Sequence, residues 1–121
     1  MQRSIILLVA FLLTMCANAQ NTGITGTITD PTGLPIPGAS IQIRNEGTNV
    51  VRETTTGETG TYNIPGLESG IYTIRVVKTG FQTLQRAGIQ LFVATVTRLD
   101  LQLLVGNQAE TVTVTGEAAL L

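Results

Sequence analysis

The side chains that commonly perform catalysis are scarce in this chain and lie far apart. Its 121 residues contain no histidine and a single cysteine, Cys16, close to the N-terminus. The acidic residues are Asp30, Asp100 and six glutamates, which form no tight cluster along the sequence. A serine triad needs a base that is usually histidine, and a zinc centre needs several nitrogen, sulfur or oxygen ligands. We therefore predict no enzyme activity, no cofactor, and no catalytic or metal-binding residue.

The charge pattern excludes one large class of partner. The formal net charge is −1, and the seven lysines and arginines form no run. Nucleic-acid-binding proteins usually carry a concentrated basic patch, so we predict no nucleic-acid partner. Arg75, Lys78 and Arg86 could share one outward face, although scattered charges of this kind are usually only solvated.

One aromatic residue is a weak candidate for ligand contact. Phe92 is out of phase with the alternating apolar residues Leu91 and Val93, so we expect it to be exposed. Sugar-binding surfaces usually stack on exposed tryptophan or tyrosine, but the chain has no tryptophan, and Tyr62 and Tyr72 alternate onto the predicted core face. The competing interpretation of Phe92 is a lone apolar surface residue without a role.

The N-terminal residues have the pattern of an export signal. Arg3 precedes the uninterrupted apolar run 5–13, and small residues occupy both specificity positions of Ala17-Asn18-Ala19. The run is shorter than the roughly 20 residues that span a membrane as a helix. We predict a cleavable signal helix over residues 1–19 and a mature chain in the periplasm or at the outer membrane. Lipidation at Cys16 is the alternative, but Met15 is unusual before a lipidated cysteine.

The rest of the chain has the pattern of short β-strands. Apolar and polar residues alternate, β-branched residues are abundant, and glycine and proline recur at short intervals. The short connections favour antiparallel neighbours, because parallel crossovers need about a dozen residues. We predict an all-β, seven-stranded antiparallel Greek-key β-sandwich over residues 20–106, followed by an extended tail, 107–121. The predicted strands are 23–29, 39–44, 50–56, 61–64, 71–78, 89–93 and 95–103.

Five segments, in this order and spacing, resemble the carboxypeptidase regulatory-like family. They are 26–30 (GTITD), 33–39 (GLPIPGA), 54–64 (TTTGETGTYNI), 67–72 (LESGIY) and 80–81 (GF). The resemblance implies a transthyretin-like (prealbumin-like) sandwich that is related to starch-binding-like folds. It also implies a non-catalytic accessory domain, because in zinc carboxypeptidases this sandwich lies beside the catalytic domain. A carbohydrate-binding module of a secreted protein, with a saccharide as its ligand, is the alternative function.

The tail carries a second resemblance. Glu110, Thr111, Val112, Thr113, Val114 and Thr115 form an alternating, proline-free stretch. It is similar to the segment that follows this domain in Oar-like TonB-dependent outer-membrane receptors, and to a TonB box, which pairs with TonB by β-augmentation. The resemblance implies TonB, or a downstream plug and barrel, as partners. Since neither the plug nor the barrel follows in this sequence, we expect a truncated gene, a fragment or a free-standing relative. An eighth edge strand or a frayed terminus is the alternative interpretation of the tail.

Overall fold

Two β-sheets packed face to face make up residues 21–115, which is the part of the chain that this computed structural model describes. The predicted signal peptide, including Cys16, lies outside the described residues, as does the end of the tail from residue 116 onward. Within residues 21–115, no helix is long and apolar enough to cross a membrane.

The chain passes back and forth between the two sheets. The first sheet consists of β1 (Gly23–Thr29), β4 (Thr61–Ile64), β7 (Val96–Arg98) and β8 (Leu101–Gln102), with β1 in its centre. The second sheet contains β2 (Ser40–Asn45), β3 (Val51–Thr55), β5 (Gly70–Val77), β6 (Thr83–Leu91) and β9 (Thr111–Thr115). Its order is β3-β2-β5-β6-β9, so β3 and β9 are its edge strands.

The core lies between the sheets and is built from alternate residues of each strand. Because side chains of a strand point to opposite faces in turn, the alternating isoleucines, leucines and valines face one another across the sandwich. This arrangement confirms the predicted all-β sandwich. The apolar residues with no exposed surface are Ile24, Ile28, Ala39, Ile41, Ile43, Ile74, Val76 and Leu91.

The prediction that every strand pair is antiparallel is wrong. Strand β1 runs parallel to both β7 and β8, and β9 runs parallel to β6. The prediction used the short loops between consecutive strands, but these three pairs join strands that are distant in the sequence. Residues 92–110 connect β6 to β9, which is long enough for a parallel crossover.

Residues 21–115 also form nine strands, where the sequence predicted seven. The predicted sixth strand, 89–93, is β6, which begins earlier and ends at Leu91, so that Val93 is 53% exposed instead of facing the core. A register shift opposite Tyr72 and Ile74 changes the phase of β6, so that Leu84 and Ile89 both face inward. The two additional strands come from a break in the predicted closing strand, which forms β7 and β8, and from the tail, which forms β9.

The side chain of Tyr62 on β4 reaches across β1 to the break between β7 and β8. Tyr62 lies opposite Gly26, and its hydroxyl donates a hydrogen bond to the carbonyl oxygen of Leu99. The Leu99 amide donates a hydrogen bond to the carbonyl oxygen of Thr25 at 2.7 Å. One Asp100 carboxylate oxygen accepts the Thr27 amide at 2.9 Å, so a side chain replaces the missing ladder bond at the break.

A buried threonine ties the irregular segment after β1 to the second sheet. The Thr56 hydroxyl accepts a hydrogen bond from the Ala39 amide at 2.8 Å and donates one to the Ile36 carbonyl at 2.7 Å.

Thr56→Val keeps the shape of the side chain but leaves both buried backbone groups without this partner, so we expect a loss of about 2 kcal/mol in the free energy of unfolding. Urea denaturation checks the value. The exposed neighbour is the control, since Thr55→Val should change stability by less than about 0.5 kcal/mol; equal effects of both variants would contradict this role of Thr56.

Candidate functional site

Strand β9, the predicted partner-binding stretch, is fixed along the outer edge of the second sheet. Glu110 immediately precedes β9. Its carbonyl accepts the Thr83 amide at 2.8 Å, and its carboxylate accepts the Gln82 side-chain amide at 2.7 Å. The Thr83 hydroxyl donates to the Gln108 carbonyl at 2.8 Å. Residues 111–115 then pair in register with residues 83–87. Residues 111–115 of the tail therefore form an edge strand, as one of the two sequence interpretations predicted.

The side chains of β9 alternate between the core and the solvent. Val112 and Val114 are half-buried, whereas Thr111 and Thr113 are exposed. The two valines line an apolar hollow of about 200 Å³ between the sheets, and Val114 packs against the core. The other residues that line this hollow are Gln82, Leu84, Gln102 and Leu104.

The backbone of β9 leaves one set of hydrogen-bonding groups free for a partner. In a parallel pair, alternate residues of a strand bond to the same neighbour. Since the Glu110 carbonyl bonds to β6, the backbone groups of Val112 and Val114 also face β6. The N–H and C=O groups of Thr111 and Thr113 then point away from the sheet, where the described residues place no further strand.

The two edges of the second sheet differ in their protection. Natural sheets guard an edge with charges, proline, bulges or short strands, because an open edge can pair with another chain. Strand β3 carries the charged residues Arg52 and Glu53, and both are exposed. Strand β9 has neither a charge nor a proline from Thr111 to Thr115. Among the described strands of this sheet, β9 is therefore the edge that is open to strand addition.

Phe92 lies at the end of the sandwich where β6 finishes. Its side chain is 61% exposed, as the alternation predicted. Val93 and Val96, in the loop that follows and at the start of β7, are also more than half exposed. Val93 lines an open hollow of about 390 Å³ together with Thr22, Leu67 and polar loop residues, whereas Phe92 is not among the residues that line it. The structure places Phe92 and β9 at different positions, so they do not form a single site.

In the described part of the chain, the carboxylates of Asp30 and Asp100 accept hydrogen bonds from backbone amides. No three of its acidic or cysteine side chains gather closely enough to hold a metal ion. One Asp30 oxygen accepts the hydroxyl and amide of Thr32 and the amide of Leu34, and these bonds lower the pKa of Asp30. Burial raises the pKa of Tyr62, which keeps its proton for the bond to Leu99.

A second carboxylate joins the β2–β3 turn to β5 and β6. Glu46 accepts the Thr73 hydroxyl at 2.7 Å and the Gly88 amide at 3.4 Å, and the Thr73 bond is the main cause of its lowered pKa. Because the pKa of Glu46 is lower in the folded state, ionised Glu46 stabilises the fold at pH values above its ordinary pKa of 4.5. This stabilisation is lost as the pH falls through the lower pKa of the folded state.

We expect Thr73→Val to raise the pKa of Glu46 toward its ordinary value, because the strongest hydrogen bond to the carboxylate is lost. An NMR titration of the Glu46 carboxyl carbon measures the change. Thr55→Val, on an exposed position of the same sheet, should leave the Glu46 titration where it is. An unchanged pKa in Thr73→Val would contradict the assigned cause.

Two mixed sheets packed around this core define a β-sandwich domain. Residues 23–104 match the model of the carboxypeptidase regulatory-like domain family, and the chain belongs to this family. The match ends before β9 begins. A comparison with curated proteins found no match.

Solved structures share this fold at low sequence identity. A candidate carbohydrate-binding protein from Bacteroides uniformis aligns with a TM-score of 0.57 and 21% identity, over 67% of this chain and 40% of that one. A type II cohesin–X-dockerin complex from Acetivibrio cellulolyticus gives 0.53 and 21%, over 70% and 58%. Catechol 1,2-dioxygenase from an Acinetobacter species gives 0.56 and 15%, over 83% and 60%. In each case this chain spans less than two thirds of the other chain, and such identities show the fold alone.

The sequence did not identify two residues that lie beside β9. Gln82 and Leu104 contribute to the edge and its hollow, but neither is distinctive in type or spacing. Gln82 anchors β9 only because Glu110 returns to it across the crossover, and Leu104 lies outside the alternation of Leu101 and Leu103. No local signal could have identified either residue, since their roles depend on a non-local parallel pair.

Proposed function

We propose that this chain is a non-catalytic accessory domain of a TonB-dependent outer-membrane receptor, and that it engages TonB through strand addition at β9. The observation that carries the proposal is the open, uncharged edge at residues 111–115. A partner strand would gain main-chain hydrogen bonds from Thr111 and Thr113. The family supports a regulatory or binding role, and the resemblance to an export signal supports a periplasmic location.

Pull-down with the C-terminal domain of TonB tests the proposal. The chain should be captured, and a chain lacking residues 110–121 should not. Thr113→Pro is the sharper variant, because it removes an outward N–H, whereas the N–H groups that face β6 remain. Thr113→Val keeps that N–H and is the matched control. Capture of Thr113→Pro as strong as that of Thr113→Val would rule out strand addition at this edge.

Carbohydrate binding is the second candidate function, and the exposure of Phe92 favours it. An exposed aromatic ring can stack on the apolar face of a sugar. Calorimetric titration with maltooligosaccharides tests this candidate, with Phe92→Ala expected to remove binding. Val105→Ala is the control, because Val105 is also exposed and lies on a different segment. Absence of heat with every neutral saccharide would end this candidate and leave the β9 proposal intact.

A further inference from the structure

The outer face of the second sheet brings two arginines together. Gln42 on β2 lies directly opposite Arg75 on β5, and Arg44 lies directly opposite Thr73. Arg44 and Arg75 are therefore diagonal neighbours on one face, at a separation that long side chains can bridge. Both arginines line one shallow hollow of about 190 Å³, together with Gln42, Thr73 and Gln85.

Neither arginine forms an ion pair with a carboxylate of residues 21–115. Among the described residues the one ion pair joins Arg98 to Asp100, on the other sheet. Arg44 donates one hydrogen bond at 3.2 Å to the Asn49 side chain, and the structure shows none from Arg75 to residues 21–115. Two like charges on one face of a sheet repel each other, and a bound anion would reduce that repulsion.

The nearby carboxylates are held elsewhere. The charge of Arg44 contributes to the lowered pKa of Glu46, but the Glu46 Oε1 atom accepts the Thr73 hydroxyl and the Gly88 amide. Glu53 on β3 lies directly opposite Gln42 on β2, and it makes no ion pair with either arginine. The residues that line the hollow are two arginines, two glutamines and a threonine, with no acidic residue among them.

We propose that this hollow binds the carboxylate or sulfate group of an acidic saccharide. A guanidinium group binds such an oxyanion through two parallel hydrogen bonds, which lysine cannot provide. The amides of Gln42 and Gln85 can bond to the hydroxyl groups of the sugar ring that carries the oxyanion. The site goes beyond the β9 proposal and lies apart from Phe92, so it can fail without affecting either.

Calorimetric titration of the full chain with galacturonate oligosaccharides and with chondroitin sulfate oligosaccharides tests the site. We expect binding of one or both, and a loss of about 10- to 100-fold in affinity for Arg75→Gln and for Arg44→Gln. Arg52→Gln is the matched control, because it removes the same charge from the same sheet at a position paired with the inward-facing Ile43. Its affinity should stay within about twofold of the unmodified chain.

Two further ligands separate the outcomes. Inorganic sulfate that binds as tightly as the acidic oligosaccharides would overturn the saccharide part of the proposal. Neutral maltooligosaccharides report on the Phe92 candidate and should not respond to Arg75→Gln. Absence of binding to either acidic oligosaccharide, or equal losses in Arg52→Gln and Arg75→Gln, would overturn the site.

Discussion

Replacing Gly26 with alanine should lower the free energy of unfolding by about 4 kcal/mol or more, which is a large part of the 5–15 kcal/mol that a domain of this size has. A methyl group at this position would overlap the backbone of Leu99 and lie 3.0 Å from the Tyr62 ring. Neither neighbour can move cheaply. The Leu99 backbone is bonded to Thr25 on one side and to the Tyr62 hydroxyl on the other.

Urea denaturation of Gly26→Ala measures this effect, and Gly57→Ala is its control. The nearest atom to a methyl group at Gly57 is 4.0 Å away, and its φ is not in the left-handed region. Gly57→Ala should therefore change stability by less than about 1 kcal/mol, in either direction. Similar unfolding midpoints for Gly26→Ala and the unmodified chain would mean that Tyr62 does not cross the sheet as described.

Ile74→Ala should cost about 3–4 kcal/mol, because it opens a cavity in the centre of the core. Ile74 has no exposed surface and pairs with Ile43 on β2 and with Arg86 on β6. Both partner strands are fixed in the sheet, so the surroundings can close the cavity only in part.

Ile71→Ala removes the same atoms from the same strand and is the matched control. Ile71 is 43% exposed, so we expect a cost below about 1 kcal/mol. Denaturant unfolding of both variants gives the comparison. A cost of Ile71→Ala equal to that of Ile74→Ala would contradict the assignment of these two faces of β5.

Local alternation predicted much of this fold. Tyr62 and Tyr72 face inward as expected, each 3% exposed, and both rings keep their hydroxyl groups bonded to backbone carbonyls. Gly33 and Gly60 have positive φ at the predicted turns. These features depend on residues that are close in the sequence, where side-chain period and turn chemistry act directly.

The errors have non-local causes. The phase change in β6, where Gly88 has a φ of 72°, placed Arg86 opposite the buried Ile74 instead of on an outward face with Arg75. The parallel pairing of β9 depends on where the crossover delivers Glu110, which no local pattern encodes. Arg44 and Arg75 become neighbours only through the register of β2 and β5. Candidate surfaces on this fold therefore arise from strand pairing and not from motifs.

Amide hydrogen exchange at β9 tests the central claim most directly. In the free protein, the amides of Val112 and Val114 should be protected by β6, whereas the Thr113 amide should exchange quickly because it points away from the sheet. Addition of the TonB C-terminal domain should slow exchange at Thr113 by about tenfold or more, since a partner strand would accept that N–H. Protection of Thr113 equal to that of Val112 in the free protein, or no slowing in the presence of the TonB domain, would contradict the claim that β9 is an open edge for strand addition.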